Sequence, residues 1–178
     1  MTVRVKDHPS IYERQDVWAQ FVLPAQPEVK DMGPVYAQLE LVSGDDLALW
    51  RRGLIGEDQV KRVTVPALVD TGASTLCINE AIKAQLDLRA IDQRAVQMAD
   101  GSIRLLELVG PVEIHFQNRR SVLSALVLPG ESEVLLGAIP LEDMDVFIDP
   151  VKRELVVNPA SPSKATARAK SPRRIRPH

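Results

Sequence analysis

Between Val35 and Val42 the apolar residues Val35, Ala37, Leu39 and Leu41 alternate with Tyr36, Gln38 and Glu40. That two-residue period belongs to a strand with one buried face. Ser43 then stands where a helix cap belongs, with Asp45 and Asp46 in the first turn and Gly53 just past the end, so a short helix is expected over about 44 to 52. Residues 60 to 69 read as a further strand, interrupted or placed at an edge by Pro66. This strand runs directly into Asp70-Thr71-Gly72-Ala73-Ser74. A short strand over Thr75 to Ile78 follows, and Asn79 can cap a second helix over Glu80 to Leu86. Arg94 to Met98 and Ile103 to Leu108 flank Asp100-Gly101, a hairpin signal for which a type I′ turn is expected. Val112, Ile114 and Phe116 alternate with Glu113, His115 and Gln117, and strands over Val122 to Leu128, Val134 to Leu136, Val146 to Ile148 and Glu154 to Val157 complete the pattern, with one helical turn over Ile139 to Met144. The chain therefore reads as a mainly β domain with two short helices.

The ends differ from this body. Residues 1 to 34 mix charge with Pro9, Pro24, Pro27 and Pro34, and only Val17 to Leu23 is apolar, which suggests an N-terminal extension. Residues 159 to 178 hold six Lys and Arg and no acid. Their Pro, Ser and Ala content offers too little apolar surface to fold, so a disordered basic tail is expected. The overall charge of −2 hides this asymmetry: removing the six tail cations from 22 leaves 16 against 24 acids, a body at −8. An acidic body with 4% aromatic residues argues against a nucleic-acid-binding core, although the tail could attract polyanions. The lone Cys77 excludes an internal disulfide, and the first residues lack a secretory apolar segment, so a reducing, cytoplasmic setting is expected. His8, His115 and His178 have no metal-ligand spacing, and neither metal nor cofactor is expected.

Asp-Thr-Gly alone arises by chance in about one chain in thirty of this length, so its surroundings decide its meaning. It follows the apolar run Ala67-Leu68-Val69, precedes another strand, and is followed by the Asp100-Gly101 hairpin and by Leu135-Leu136-Gly137. In that order these elements resemble the retropepsin-like aspartic proteases over about residues 35 to 158. The stretches Ala67 to Ala73, Met98 to Gly101, and Leu135 to Asp143 look most similar to a small prokaryotic group within that clan. The resemblance implies a closed β-barrel protomer of the acid protease fold, an N-terminal extension over 1–34, a protease domain over 35–158 and a tail over 159–178.

It also implies roles. Aspartic protease chemistry needs two carboxylates sharing one proton, and no second Asp-Thr-Gly or Asp-Ser-Gly occurs. A homodimer is therefore expected, with Asp70 meeting its symmetry mate. Gly72 would allow close backbone approach and donate its N–H to the carboxylate, and Thr71 would bond across to the partner's backbone. Leu136 and Gly137 would pack under the dyad beside Ala73. Met98, Ala99, Asp100, Gly101 and Ile103 would form a flap over an extended peptide, with Met98 and Ile103 lining the pocket. Ala73 lacks the hydroxyl that two-lobed pepsins place there, which should move the working pH of the dyad toward neutral. A pH–rate profile with its maximum in strongly acidic solution would refute that. Because fold does not dictate function, a catalytically silent dimer that binds peptides or serves dimerisation is the alternative. Glu142, Asp143 and Asp145 read as solvated charges near a helix start.

Overall fold

The computed structural model describes residues 33–98 and 100–166. Residues 1–32 and 167–178, with most of the expected extension and tail, lie outside the described residues, as do His8, His178 and Ala99. Among the described residues there are nine strands: β1 (Tyr36–Ser43), β2 (Arg62–Val69), β3 (Cys77–Asn79), β4 (Ala90–Gln97), β5 (Ile103–Phe116), β6 (Arg119–Leu128), β7 (Val134–Leu136), β8 (Val146–Asp149) and β9 (Glu154–Val157). Three short helices accompany them: α1 (Gly44–Arg51), α2 (Glu80–Gln85) and α3 (Ala138–Asp143). No described helix is long and apolar enough to cross a membrane.

The strands β1-β2-β7-β3-β6-β5 lie side by side, and β1 pairs again with β5, which closes a six-stranded barrel. The barrel is mixed: β2–β7 and β3–β6 are parallel, whereas β3–β7 is antiparallel. β4 extends the sheet outside the barrel by pairing with the first half of β5, and β8 and β9 form a separate ribbon. A mainly β closed barrel with short helices is what the sequence leads one to expect.

Alternation along the chain explains the core. Leu39 and Leu41 of β1, Ala67 of β2, Ile78 of β3, Ile114 of β5 and Leu136 of β7 are all fully buried inside the barrel. Ser43 caps α1, its Oγ accepting from the Asp46 N–H at 3.4 Å, and Asn79 caps α2, its Oδ1 accepting from the Ile82 N–H at 3.0 Å. Both caps stand where the sequence places them.

Pro66 does not interrupt β2: it pairs with Gln38 of β1 on one side, and because β7 pairing begins only at Ala67 its other side is a locally open edge, where the missing N–H interrupts no bond. Three expectations need correction. The two strands expected on either side of residues 109–111 are one strand, β5, whose register shifts at Gly110-Pro111. Glu113 belongs to the polar phase of β5 yet is buried, because α1 lies over it and Arg51 donates to its carboxylate at 3.0 Å while His115 bonds it at 2.9 Å.

The third concerns the end of the domain. Residues 159–166 are not free of contacts. Asp145 accepts from Asn158 Nδ2 at 2.8 Å, from the Ser161 hydroxyl and from the Thr166 N–H at 3.1 Å. Those bonds hold its carboxyl below the usual aspartate range, the Ser161 bond contributing most. The buried Arg119 donates to the Ser161 carbonyl, and Asn118 Nδ2 to Pro162 O at 2.8 Å. Polar bonding anchors this segment where apolar burial could not. Asp145 is thus a hub and not a solvated charge, and Glu142 and Asp143 stand at the C-terminal end of α3, opposite to the expected helix start.

Candidate active site

Ala67 and Val69 point into the barrel core, so Leu68 and, continuing its phase, Asp70 face the other side of the wall. The loop after Asp70 is held from within and from β7. The Asp70 N–H donates to Leu136 O at 3.1 Å, and the Ala73 N–H donates back to Asp70 O at 3.1 Å. The Gly72 N–H donates to Asp70 Oδ1 at 2.9 Å, which fixes the carboxylate against its own loop. On the far side the Ala138 N–H reaches Ala73 O at 2.9 Å and the Ile139 N–H reaches Ser74 O at 3.0 Å. Asp70, Thr71, Gly72, Ala73, Leu136 and Gly137 are therefore brought together by backbone bonds.

Gly137 is needed on steric grounds. A Cβ there would lie 2.4 Å from Thr75 O and 2.6 Å from both Ala73 O and Thr75 N, all backbone atoms. At Gly72 a Cβ would lie 3.1 Å from Asp70 Oδ1. Thr71 and Gly72 are exposed and Asp70 is half-buried, so the protomer presents this loop outward.

The hairpin of β4 and β5 closes through bonds from the Met98 N–H to Ser102 O at 2.8 Å and from the Gly101 N–H to Met98 O at 2.9 Å. Gly101 alone among the described tip residues has positive φ, +82°. This is a turn followed by a left-handed glycine and not the expected two-residue type I′ turn. The difference reassigns a face. Ile103 now stands opposite Gln97, so Met98 and Ile103 fall on opposite sides of the hairpin. Met98 packs with Val96, Leu106 and Leu108 against Cys77, Leu126, Leu128 and Leu135. Ile103 is 74% exposed on the outer side and does not line the site side. Beyond it on that outer side, Leu105 and Glu107 border a groove of about 590 Å³ with Lys83 and Leu88, where Lys83 pairs with Glu107. Asp70 is not part of that groove.

The cluster around Cys77 lies beside the Asp70 loop. Leu135 is paired both with Leu68 of β2 and with Cys77 of β3. Burial, and then the Asp70 charge, push the Cys77 thiol up to about 11. A neutral, buried thiol is a poor nucleophile, so Cys77 is expected to resist alkylation at neutral pH in the folded protein and to react at once in denaturant. Rapid labelling of the native protein would show that the cluster is open. Asp100 has the opposite shift: the Ser102 hydroxyl and amide bond its carboxylate and, with a smaller contribution from Arg104, hold it below the usual range. Among the described residues no group of three or more His, Cys, Asp or Glu side chains converges on a metal site.

A model of the aspartyl protease family matches residues 56–138. Over that stretch the chain is similar to the aspartyl protease family. The aspartyl protease match begins just before β2 and ends at the first residue of α3, so it takes in the Asp70 loop, the hairpin and the Gly137 turn while leaving β1, β8 and β9 outside. Among solved structures the chain is similar to the retroviral protease-like domain of Ddi1 from Leishmania major, with 15% identity, a TM-score of 0.45, and coverage of 71% of this chain and 89% of that one. No curated protein matches the sequence.

Sequence reading did not single out the apolar cluster of Cys77, Leu126, Leu128 and Leu135 as one surface. The signal was present: Cys77 and Leu135 each stand one residue out of phase with a core residue of the same strand. Three-residue strands are too short for that phase to be read without their partners.

Proposed function

We propose that the protein is an aspartic endopeptidase whose site forms between two copies of the chain, with one Asp70 from each. The observation that carries this reading is the Asp70 loop, a strand-end Asp-Thr-Gly exposed on the barrel and bonded into place by Gly72 and Leu136, within the stretch that a model of the aspartyl protease family matches. A single such loop supplies one carboxyl. Peptide hydrolysis by this chemistry needs two, because an ionised carboxylate must take a proton from water while a protonated one donates to the scissile carbonyl.

In this reading Asp70 of one chain acts as the base and Asp70 of the other as the acid, and like charge at close range keeps one proton shared between them. The exposed Thr71 hydroxyl crosses to the partner's loop, and the Gly72 N–H keeps the carboxylate oriented. The extended substrate lies between this floor and the hairpin, taking strand-like backbone bonds. The half-buried Val96 and Met98 cover it from the apolar side, and the tip around Asp100 and Gly101 opens and closes. Residues 35–158 are the protease domain in this reading, and a cytoplasmic setting remains part of the proposal.

The dimer makes the proposal testable by dilution. Specific activity, followed with a peptide identified from a diverse library, is expected to fall with protein concentration in parallel with the dimer fraction from sedimentation. Activity that stays constant while the protein is monomeric would overturn the shared site.

A further inference from the structure

The site side of the hairpin is not wholly apolar. β4 and β5 oppose Val96 to Arg104 and Arg94 to Leu106, so these four side chains share one face. It is the face that meets the candidate site, because Val96 and Leu106 pack against Cys77 and Leu135, beside the Asp70 loop. Arg94 and Arg104 are exposed, and among the described residues neither enters an ion pair. The two acids on and next to this face are bonded locally: Asp92 Oδ1 accepts from the Gln93 N–H at 2.8 Å, and Asp100 Oδ1 from the Ser102 N–H at 2.9 Å and its hydroxyl at 2.6 Å, so that Arg104 adds only a smaller attraction to Asp100 without forming an ion pair with it. Below them, residues 71–76 and 134–141 contain no charged residue at all. The hairpin face that packs beside the Asp70 loop therefore carries two guanidinium groups, on a body that is otherwise strongly acidic.

We infer that Arg94 and Arg104 make the protein selective for an extended peptide that carries Asp or Glu close to the bond it cleaves. The inference deepens the endopeptidase reading and rests on it for the position of the bound strand. A strand laid beneath the hairpin presents alternate side chains to that face, and a guanidinium offers a carboxylate two parallel N–H donors. A Lys in the same place meets like charge. Since both arginines are exposed, the attraction is partly screened, and the preference should shrink as salt rises.

The test uses matched peptides with one apolar centre and Glu, Gln or Lys on either side of it. Cleavage is followed with the wild-type protein, and binding of the same labelled peptides by fluorescence anisotropy with Asp70→Asn. The Glu peptide is expected to exceed the Gln peptide by about five- to tenfold in kcat/KM and in affinity, with the Lys peptide lowest. In the double variant Arg94→Gln/Arg104→Gln the Glu-to-Gln ratio should fall close to one, and Arg94→Lys/Arg104→Lys should restore part of it. Equal treatment of Glu and Gln peptides, binding of none of them, or a ratio that survives the double Gln variant would overturn the inference. If the wild type cleaves no peptide, the endopeptidase reading fails, and the order of binding still decides the role of the two arginines.

Discussion

Replacing Asp70 by Asn should abolish peptide hydrolysis, a loss of about a thousandfold or more, while leaving the fold in place. Asn keeps the side-chain oxygen that accepts from the Gly72 N–H, a bond of 2.9 Å in the protein, and Asp70 is only half-buried, so no buried charge is removed. What Asn cannot do is carry or surrender the shared proton. In a homodimer one substitution removes both carboxyls, so neither the base nor the acid remains. The measurement is cleavage of a diverse peptide library by wild type and variant, with thermal unfolding as the control for folding. Equal cleavage by both would sink the dyad mechanism. Cleavage by neither would favour the peptide-binding or dimerisation module.

The reach of the sequence differs from one element to the next. β1 was legible because its alternation is long, and Leu39 and Leu41 are buried as their phase requires. The Asp70 loop was legible because an apolar strand, a special tripeptide and a second strand occur without interruption. The pairing of β7 between β2 and β3 was not, because Val134–Leu136 is three residues long and its neighbours lie far away in the chain. Ile103 shows how a small local error propagates. A two-residue loop at Asp100-Gly101 would set Met98 opposite Ile103 on one face. The observed closure sets Gln97 opposite Ile103, and because the strand period is two, a slip of one residue turns the side chain to the other face. Glu113 and Asp145 escaped notice for another reason. Their burial and bonding depend on α1 and on residues 158–166, whose docking no local pattern encodes.

Gly137→Ala should be the most damaging small substitution in the protein. The new methyl would come within 2.4 Å of Thr75 O and 2.6 Å of Ala73 O and Thr75 N. Backbone atoms held by the bonds from Ala138 to Ala73 and from Ile139 to Ser74 cannot turn aside as a side chain would. Relief requires pulling the Asp70 loop away from the β7 turn, with an expected loss of about 3 kcal/mol or more, the range of severe overpacking. Gly72→Ala is the informative contrast. Its Cβ would stand 3.1 Å from Asp70 Oδ1, the end of a side chain. The carboxylate can move, so stability should change little, while in the shared-site reading activity falls because the displaced oxygen would no longer meet its mate. Gly130, where no atom lies within 4 Å of a new Cβ but φ is +66°, reports backbone strain alone, about 1 kcal/mol. Denaturant unfolding and peptide cleavage on the three variants separate the effects. If Gly137→Ala proves as stable as Gly130→Ala, the two loops are not in the contact on which the geometry of Asp70 depends.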